Sequence, residues 1–255
     1  MKLGGVRVFL FKLKDKPEIC VEVDQLLPEK LKGLNLKEVS SLKVRLGRLE
    51  VNAEEIFDIE KSDGTVIFEG KWLERVKRIG FGMREGEILV KGNAGMYTGA
   101  FMKGGKIVVE GNTDRFAGMN MSDGEIIIRG NAGDYTGSGY RGDAGMKGGR
   151  ILVEGNAGDE VGIKMKGGEI VVMGEAGLFF GGMMNGGIAR AKRAIRTGAN
   201  MKNGIIVLEQ AREDEILPGF IYSGKDRFEN RTYHIFEGDK AVRKSKGKLL
   251  IRNLE

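Results

Sequence analysis

The stretch Gly99–Gly111, GAFMKGGKIVVEG, is written again as GMNMSDGEIIIRG (Gly118–Gly130) and as GIKMKGGEIVVMG (Gly162–Gly174). Met83, Met102, Met121, Met146, Met165, Met184 and Met201 each stand three residues before a glycine. Those glycines, Gly86, Gly105, Gly124, Gly149, Gly168, Gly187 and Gly204, are separated by 19, 19, 25, 19, 19 and 17 residues. A fixed period near 20 with one apolar run per copy marks a stacked repeat. Within the runs, Ile88/Val90, Ile107/Val109, Ile126/Ile128, Ile151/Val153 and Ile170/Val172 recur at the two-residue spacing of a strand. A helical repeat of this length would show a 3.6-residue stripe and few glycines, whereas this chain has 42. The expected class is mainly β: a parallel β-helix, a single-stranded solenoid of about seven coils, with equivalent residues stacked at about 4.8 Å.

Charge patterning supplies an independent reason to stack the copies in register. The residues after the repeat glycine run Glu87, Lys106, Glu125, Arg150, Glu169, and those closing the strands run Glu69, Lys91, Glu110, Arg129, Glu154. Both series change sign at every step. Opposite charges directly across neighbouring strands attract and like charges repel, so the alternation is useful only if each copy lies on the next.

The chain of 255 residues divides by pattern into an N-terminal α+β cap (1–62), the glycine-rich repeats (63–210) and a C-terminal arm (211–255). In the cap, GVRVFLFKLK and ICVEV read as two strands and KVRLGRLEV as a short strand pair. Asn52 and Glu55 form a capping box opening a helix over AEEIFDI. Such a segment is expected to cover the exposed strand edge at the end of a solenoid. GTVIFEG (Gly64–Gly70) is a worn first copy. The methionine column is expected to fill an interior corner, and Asn93, Asn112, Asn131 and Asn156, at the turns after the strands, to form an amide ladder. In the arm, a terminal strand pair is expected, with His234 alternating like a strand residue.

Composition excludes several functions. Cys20 is the sole cysteine and His234 the sole histidine, so disulfides within the chain, cysteine metal clusters and histidine-based triads are not available. GNAG is not a phosphate loop, because no Gly-Lys-Ser/Thr follows it. The net charge of +6 is spread among interleaved acids and bases without a basic–aromatic stacking motif, which speaks against nucleic acid as a partner. The basic tip KAVRKSKGKLL (Lys240–Leu250) suits an acidic partner surface. Arg7 and Lys12 interrupt the opening MKLGGVRVFLFKLKDK, and no run reaches membrane-spanning length, so a soluble cytoplasmic chain is expected.

Two features point to contact with other polypeptides. Ile67, Leu89, Val108, Ile127, Leu152, Val171 and Val207 face away from the expected core, yet all are aliphatic. A stripe of that length calls for cover, by the C-terminal arm or by another protein. The only insertion in the repeats, within YTGSGYRGDAGM (Tyr135–Met146), offers Tyr140, Arg141 and Asp143 as exposed contact residues. The candidate interface is therefore Leu89, Val108, Ile127, Leu152, Val171, Tyr140, Arg141 and Asp143, with no catalytic, cofactor-binding or metal residue expected.

The repeat GxxMxxGxIxVxG, the inserted GDYTGSGYRGDAGM (Gly133–Met146) and the tail GDKAVRKSKGKL (Gly238–Leu249) resemble the C subunit of formylmethanofuran dehydrogenase. The same glycine-rich helix occurs in the C-terminal domain of the glutamate synthase large subunit. The resemblance implies a right-handed β-helix acting as a scaffold in an archaeal complex that reduces CO2 and forms N-formylmethanofuran, the first step of methanogenesis from CO2. A related C subunit serves the bacterial formyltransferase/hydrolase complex. It further implies that the molybdenum or tungsten pterin, the iron–sulfur clusters and a dinuclear metal centre belong to partner subunits, amidohydrolase-like and molybdopterin- or tungstopterin-binding. One departure is Asp143, which stands where Gly162 and Gly181 stand in other copies. Two rival readings are a stand-alone glutamate synthase module and a carbohydrate-active β-helix enzyme using Asp134, Asp159 and Glu160.

Overall fold

The computed structural model describes residues 7–139 and 142–255, and within them the sequence period becomes a hydrogen-bond period. Strands Val66–Glu69, Glu87–Lys91, Lys103–Val109, Asp123–Ile128, Arg150–Val153, Glu169–Val172, Asn185–Ala191 and Asn203–Ala211 lie side by side and parallel. Ile88, Ile107, Ile126, Ile151 and Ile170 are successive register partners. The turns stack as well, with bridges joining Ala94, Thr113, Ala132, Ala157 and Ala176 in one line. So do the return segments: the Tyr97 N–H donates to Arg115 O (3.1 Å), that of Phe116 to Asp134 O (2.9 Å) and that of Tyr135 to Asp159 O (2.9 Å). Strand, corner and return of each copy are thus bonded to the same parts of the next, which satisfies the backbone groups of loops that a glycine-rich chain would otherwise leave orphaned.

The large sheet is mixed rather than purely parallel, and its ends explain why. Thirteen strands belong to it among the described residues. At one end Arg7–Leu13 pairs parallel with Val66–Glu69 and antiparallel with Phe57–Asp63. At the other, Gly247–Leu254 pairs parallel with Asn203–Ala211, and Arg231–Gly238 and Ile221–Phe228 follow it antiparallel. A terminal coil exposes an unpaired edge, and an antiparallel hairpin is the shortest way to close it. The outermost strands carry exposed charges, Asp58, Glu60 and Lys61 at one end and Lys225, Asp226 and Arg227 at the other, which oppose addition of a further strand. The mainly β class matches the expectation; the antiparallel ends, with three arm strands instead of one pair, do not.

Residues Val21–Glu22, Lys43–Leu46, Leu49–Asn52 and Val76–Lys77 form a separate four-stranded sheet, accompanied by helices Pro28–Leu31, Leu36–Ser40 and Ala53–Ile56. Glu55 accepts the Asn52 N–H (2.8 Å), as the capping box requires. The helix ends at Ile56, however, and FDI begins a strand. Phe57 is drawn into a ring cluster with Phe11 (5.8 Å, edge-on) and Phe68 (6.1 Å), and that burial outweighs one more helical turn. No helix among the described residues is long and apolar enough to cross a membrane.

The seven repeat methionines are all fully buried, in keeping with corner filling. Gly118 shows how tightly copies interlock: its φ is +62°, and a Cβ there would lie 2.4 Å from Cδ1 of Ile151 in the next copy. The insertion corrects one alignment. Met146 N–H donates to Gly137 O (3.0 Å), just as Met121 N–H donates to Gly118 O (3.1 Å), and a Cβ on Gly137 would meet Ile170 Cδ1 at 2.4 Å. Gly137 therefore fills the glycine role in this copy. Asp143 lies between it and Met146 in a bend outside the strands, so it is an inserted residue and not a glycine replacement.

One column defies the rule that left-handed backbone calls for glycine. Tyr97, Phe116, Tyr135, Glu160 and Phe179 occupy equivalent positions with φ between 59° and 67°. The cost, of order 1 kcal/mol each, is offset where rings stack: Tyr97 on Phe116 and Phe116 on Tyr135, both with centroids 5.0 Å apart. The asparagines stack in line as expected, but each rung runs from a side-chain oxygen to the next backbone N–H and not from amide to amide. Asn93 Oδ1 accepts from Asn112 N (2.9 Å), Asn112 Oδ1 from Asn131 N (2.7 Å) and Asn131 Oδ1 from Asn156 N (2.8 Å).

Of the two charge series, the first closes into ion pairs from Lys106 onward: Lys106–Glu125 at 3.0 Å, Arg150–Glu125 at 3.3 Å and Arg150–Glu169 at 3.2 Å. In the second the register holds, but only Glu69–Lys91 (3.2 Å) comes within pairing distance among the described residues. The hydrogen bond from Lys106, with burial opposing it, holds the Glu125 carboxyl below its ordinary value. A depressed carboxylate stabilises the fold above its unfolded pKa, and that contribution is lost as pH falls through the folded value. Lys106→Glu, which sets three acids in succession, is expected to destabilise the chain by about 1 kcal/mol in denaturant titrations at neutral pH, with the difference shrinking below the carboxylate range. Gly118→Ala is expected to cost about 1–3 kcal/mol, and adding Ile151→Val, which deletes the clashing Cδ1, to recover part of that loss in the same titration.

Candidate functional site

The outer face of the parallel strands carries the aliphatic stripe. Leu89, Val108, Ile127, Leu152 and Val171 are consecutive register partners and are half-buried, because alternation turns every second strand residue outward. Flanking ion pairs cover their margins. Among the described residues, none of the five joins either packed apolar cluster.

The next position along the stripe is Arg190, partner of Val171 on one side and Val207 on the other. Its Nε donates to Glu169 Oε1 (2.9 Å) and its Nη2 to Glu229 Oε1 (2.6 Å), while the guanidinium lies over the Phe228 ring at 5.6 Å. Burial works to lower its pKa, but the hydrogen bonds to Glu169 and Glu229 outweigh that and raise it, so the charge is firmly held. Glu229 and Asn230 turn the hairpin with φ of 47° and 64°, which delivers Phe228 and Tyr233 onto Val207 and Leu250 in a second, smaller apolar cluster. Arg231 and Arg252 both reach Glu209, at 3.4 and 3.0 Å. The C-terminal arm thus covers the stripe from Val207 onward and stops at Arg190. Between arm and stripe lies a groove of about 800 Å³ lined by Val171, Met173, Lys192, Gln210 and Tyr233 together with these charges; Met173 is 62% exposed.

The insertion residues lie elsewhere. Tyr140 and Arg141 fall outside the described residues. Asp143 is exposed and its Oδ2 accepts from Asn120 Nδ2 at 3.5 Å, beside the return turns and apart from the stripe. A notch of about 500 Å³ nearby is lined by Arg115, Phe116, Tyr135, Glu160, Ile163 and Met183. The acids considered for sugar chemistry are engaged in corner structure. Asp134 Oδ1 accepts Asp159 N–H (3.0 Å), Asp159 Oδ1 accepts Leu178 N–H (2.8 Å), Asp134 pairs with Arg115 (3.3 Å), and Tyr135 donates to Glu160 (3.4 Å). His234 sits near Tyr222 (5.8 Å between centroids), and burial, reinforced by Lys225, lowers its pKa. No group of three or more His, Cys, Asp or Glu among the described residues is arranged to hold a metal.

Sequence reasoning missed the Arg190–Glu229 clamp. The signal was present: aligning GIARA (Gly187–Ala191) with GEIVV (Gly168–Val172) puts an arginine at the stripe position, where the other copies have an aliphatic residue.

A stacked repeat, closed at both ends and bare along one apolar stripe, is the frame for comparison with known proteins. No family model matches the chain. The C subunit of tungsten-containing formylmethanofuran dehydrogenase 2 from Methanococcus maripaludis is 40% identical over 90 residues, 34% of this chain and 33% of that protein. The chain is similar to the C subunit of formylmethanofuran dehydrogenase. The corresponding protein of Methanothermobacter thermautotrophicus is 42% identical over 93 residues, and the C subunit of that organism's molybdenum-containing formylmethanofuran dehydrogenase 1 is 39% identical over 94. The match spans about a third or less of these relatives' lengths. A chain of the formyltransferase/hydrolase complex FhcABCD from Methylorubrum extorquens, solved with methylofuran, superposes with a TM-score of 0.87 at 26% identity, covering 95% of this chain and 98% of that one. The likeness to the C subunit thus rests on local identity at about 40% and on a shape shared over nearly the whole chain.

Arg190→Ala is expected to release the arm: amide exchange should rise across the 221–238 hairpin and stay unchanged in 87–172, with a stability loss of about 1–2 kcal/mol.

Proposed function

We propose that the chain is a non-catalytic, cytoplasmic structural subunit of a formylmethanofuran dehydrogenase complex. The observation that carries this is the superposition over 95% of the chain on a component of the FhcABCD complex. On this reading the fold is a right-handed parallel β-helix in which 63–210 form the rod and 1–62 and 211–255 close its ends. The interlocked register supports it, as does the near-universal right-handedness of parallel crossovers. Carbon chemistry, with the molybdenum or tungsten pterin, iron–sulfur clusters and dinuclear centre, belongs to amidohydrolase-like and pterin-binding partners. Leu89, Val108, Ile127, Leu152 and Val171 are the surface they cover, since an aliphatic stripe left bare by the chain's own arm suits burial against another protein. Tungsten and molybdenum relatives match at 40% and 39% identity, so the metal must be read from the assembled complex.

A tag on this chain in its native host is expected to bring down the pterin-binding and amidohydrolase-like subunits with stoichiometric metal, whereas the chain purified alone carries none. Recovery of the chain free of partners, or with a glutaminase or flavoprotein, would overturn the assignment. Val108→Asp with Ile127→Asp should abolish co-purification while leaving the far-ultraviolet spectrum intact, because both side chains lie on the outer face.

A further inference from the structure

One line of positions along the stack does not follow the alternating charge pattern. The residue after each repeat methionine donates its N–H to the methionine carbonyl of the preceding copy: Lys103 to Met83 (2.7 Å), Lys147 to Met121 (2.7 Å), Lys166 to Met146 (2.8 Å) and Lys202 to Met184 (2.7 Å). Arg84 begins this line, and Lys246, whose N–H donates to Lys202 O (2.8 Å), ends it. The two remaining steps hold neutral Ser122 and Asn185; the acids beside the line are Asp123, the register partner of Lys103, and Glu29, whose Oε1 accepts the Arg84 N–H (3.0 Å), so Lys147 to Lys246 is the stretch without an acidic neighbour of either kind. All eight residues are exposed. Steps of about 4.8 Å set the line at roughly 34 Å.

Like charges on adjacent strands repel, and in the Glu87–Glu169 and Glu69–Glu154 series the sign is reversed at every step. Here it is not. None of the six cationic side chains has an ion-pair partner among the described residues. The nearest acids in sequence are engaged: Glu85 with Lys32 (3.9 Å), and Asp123 with the Gly124 N–H (2.8 Å). Two glycines follow three of the six cations, Gly104–Gly105 after Lys103, Gly148–Gly149 after Lys147 and Gly167–Gly168 after Lys166, so no following side chain screens these three from an approaching surface.

We propose that this cationic line, Arg84 to Lys246, is a second docking surface, separate from the aliphatic stripe, that receives an acidic face of another protein in the complex. The proposal rests on the functional reading above. A rigid row about 34 Å long is too extended for a small anion. Its steps carry no aromatic side chain on which bases of a single strand would stack, which favours an acidic protein over nucleic acid. The exposed Arg243 and Lys244 in the loop before Lys246 extend the same sign past the end of the row.

The test is reconstitution of the complex with the tagged full-length chain carrying Lys147→Glu, Lys166→Glu and Lys202→Glu, against the triple Lys→Arg control. Reversal is expected to weaken capture of partner proteins at least about tenfold and the arginine control to retain it. Wild-type capture should weaken as salt rises from about 0.05 to 0.5 M. Thermal unfolding of the reversed chain should match wild type or exceed it, because an unrelieved repulsion has been removed; a lower midpoint would mean that the cations are structural and would overturn the proposal. Equal capture by wild-type and reversed chains would overturn it while leaving the functional assignment standing, whereas failure of wild type to capture any partner would sink the assignment itself. Displacement of partners by a single-stranded oligonucleotide of about 20 nucleotides would replace the acidic protein with nucleic acid as occupant.

Discussion

The backbone bond between a residue and its counterpart one copy later is the constraint on which this molecule depends. In an ordinary globular domain, loops satisfy their polar groups piecemeal with side chains and water. Here strand, corner and return all bond to the next copy, from Ile88 on Ile107 to Ala94 on Thr113 and Tyr97 on Arg115. Because each copy templates its neighbour, residues normally excluded from a conformation become tolerable in it. Bulky Tyr97, Phe116 and Tyr135 accept left-handed backbone because the copy above and the copy below hold the same shape and supply a ring to stack on.

That dependence also dictates how the stack must end. A repeating edge is a template for indefinite growth, and both ends answer with antiparallel strands whose outer residues are charged. At the C-terminal end the closing hairpin does a second task. Folding back over Val207, it is fixed there by Arg190 between Glu169 and Glu229. A single arginine substituted into an aliphatic column therefore divides the outer face into a part the chain covers itself and a part it leaves bare.

Periodic features were legible in the sequence because translation by one copy maps each residue onto a neighbour of known type. The strands, buried methionines, asparagine ladder and first ion-pair series follow from that single operation. Features arising where the operation fails were not. The antiparallel ends, the strand at Phe57 in place of helix and the insertion between Gly137 and Met146 depend on contacts with no counterpart in the next copy. The interface stripe falls between these cases: Leu89 to Val171 could be enumerated from the repeat, but where the arm stops could not. Asp143, aligned as a glycine substitute, was misplaced because a six-residue insertion admits two alignments, and only the Met146–Gly137 hydrogen bond decides between them.

The same translation sharpens the meaning of charge. A lone exposed lysine carries no information, since such residues are ordinary on any surface. A lysine whose counterparts above and below are also cationic or neutral is different, because the fold brings them together whether or not that is favourable. In the Glu87–Glu169 column the sequence meets this enforced proximity with alternation, and three ion pairs result. Between Lys147 and Lys246 it meets the same proximity with cationic and neutral residues alone. In a molecule whose architecture makes like-charge neighbours unavoidable, a column left uncompensated carries a repulsion that solvent ions screen only in part, and the acidic partner face proposed for it relieves the remainder.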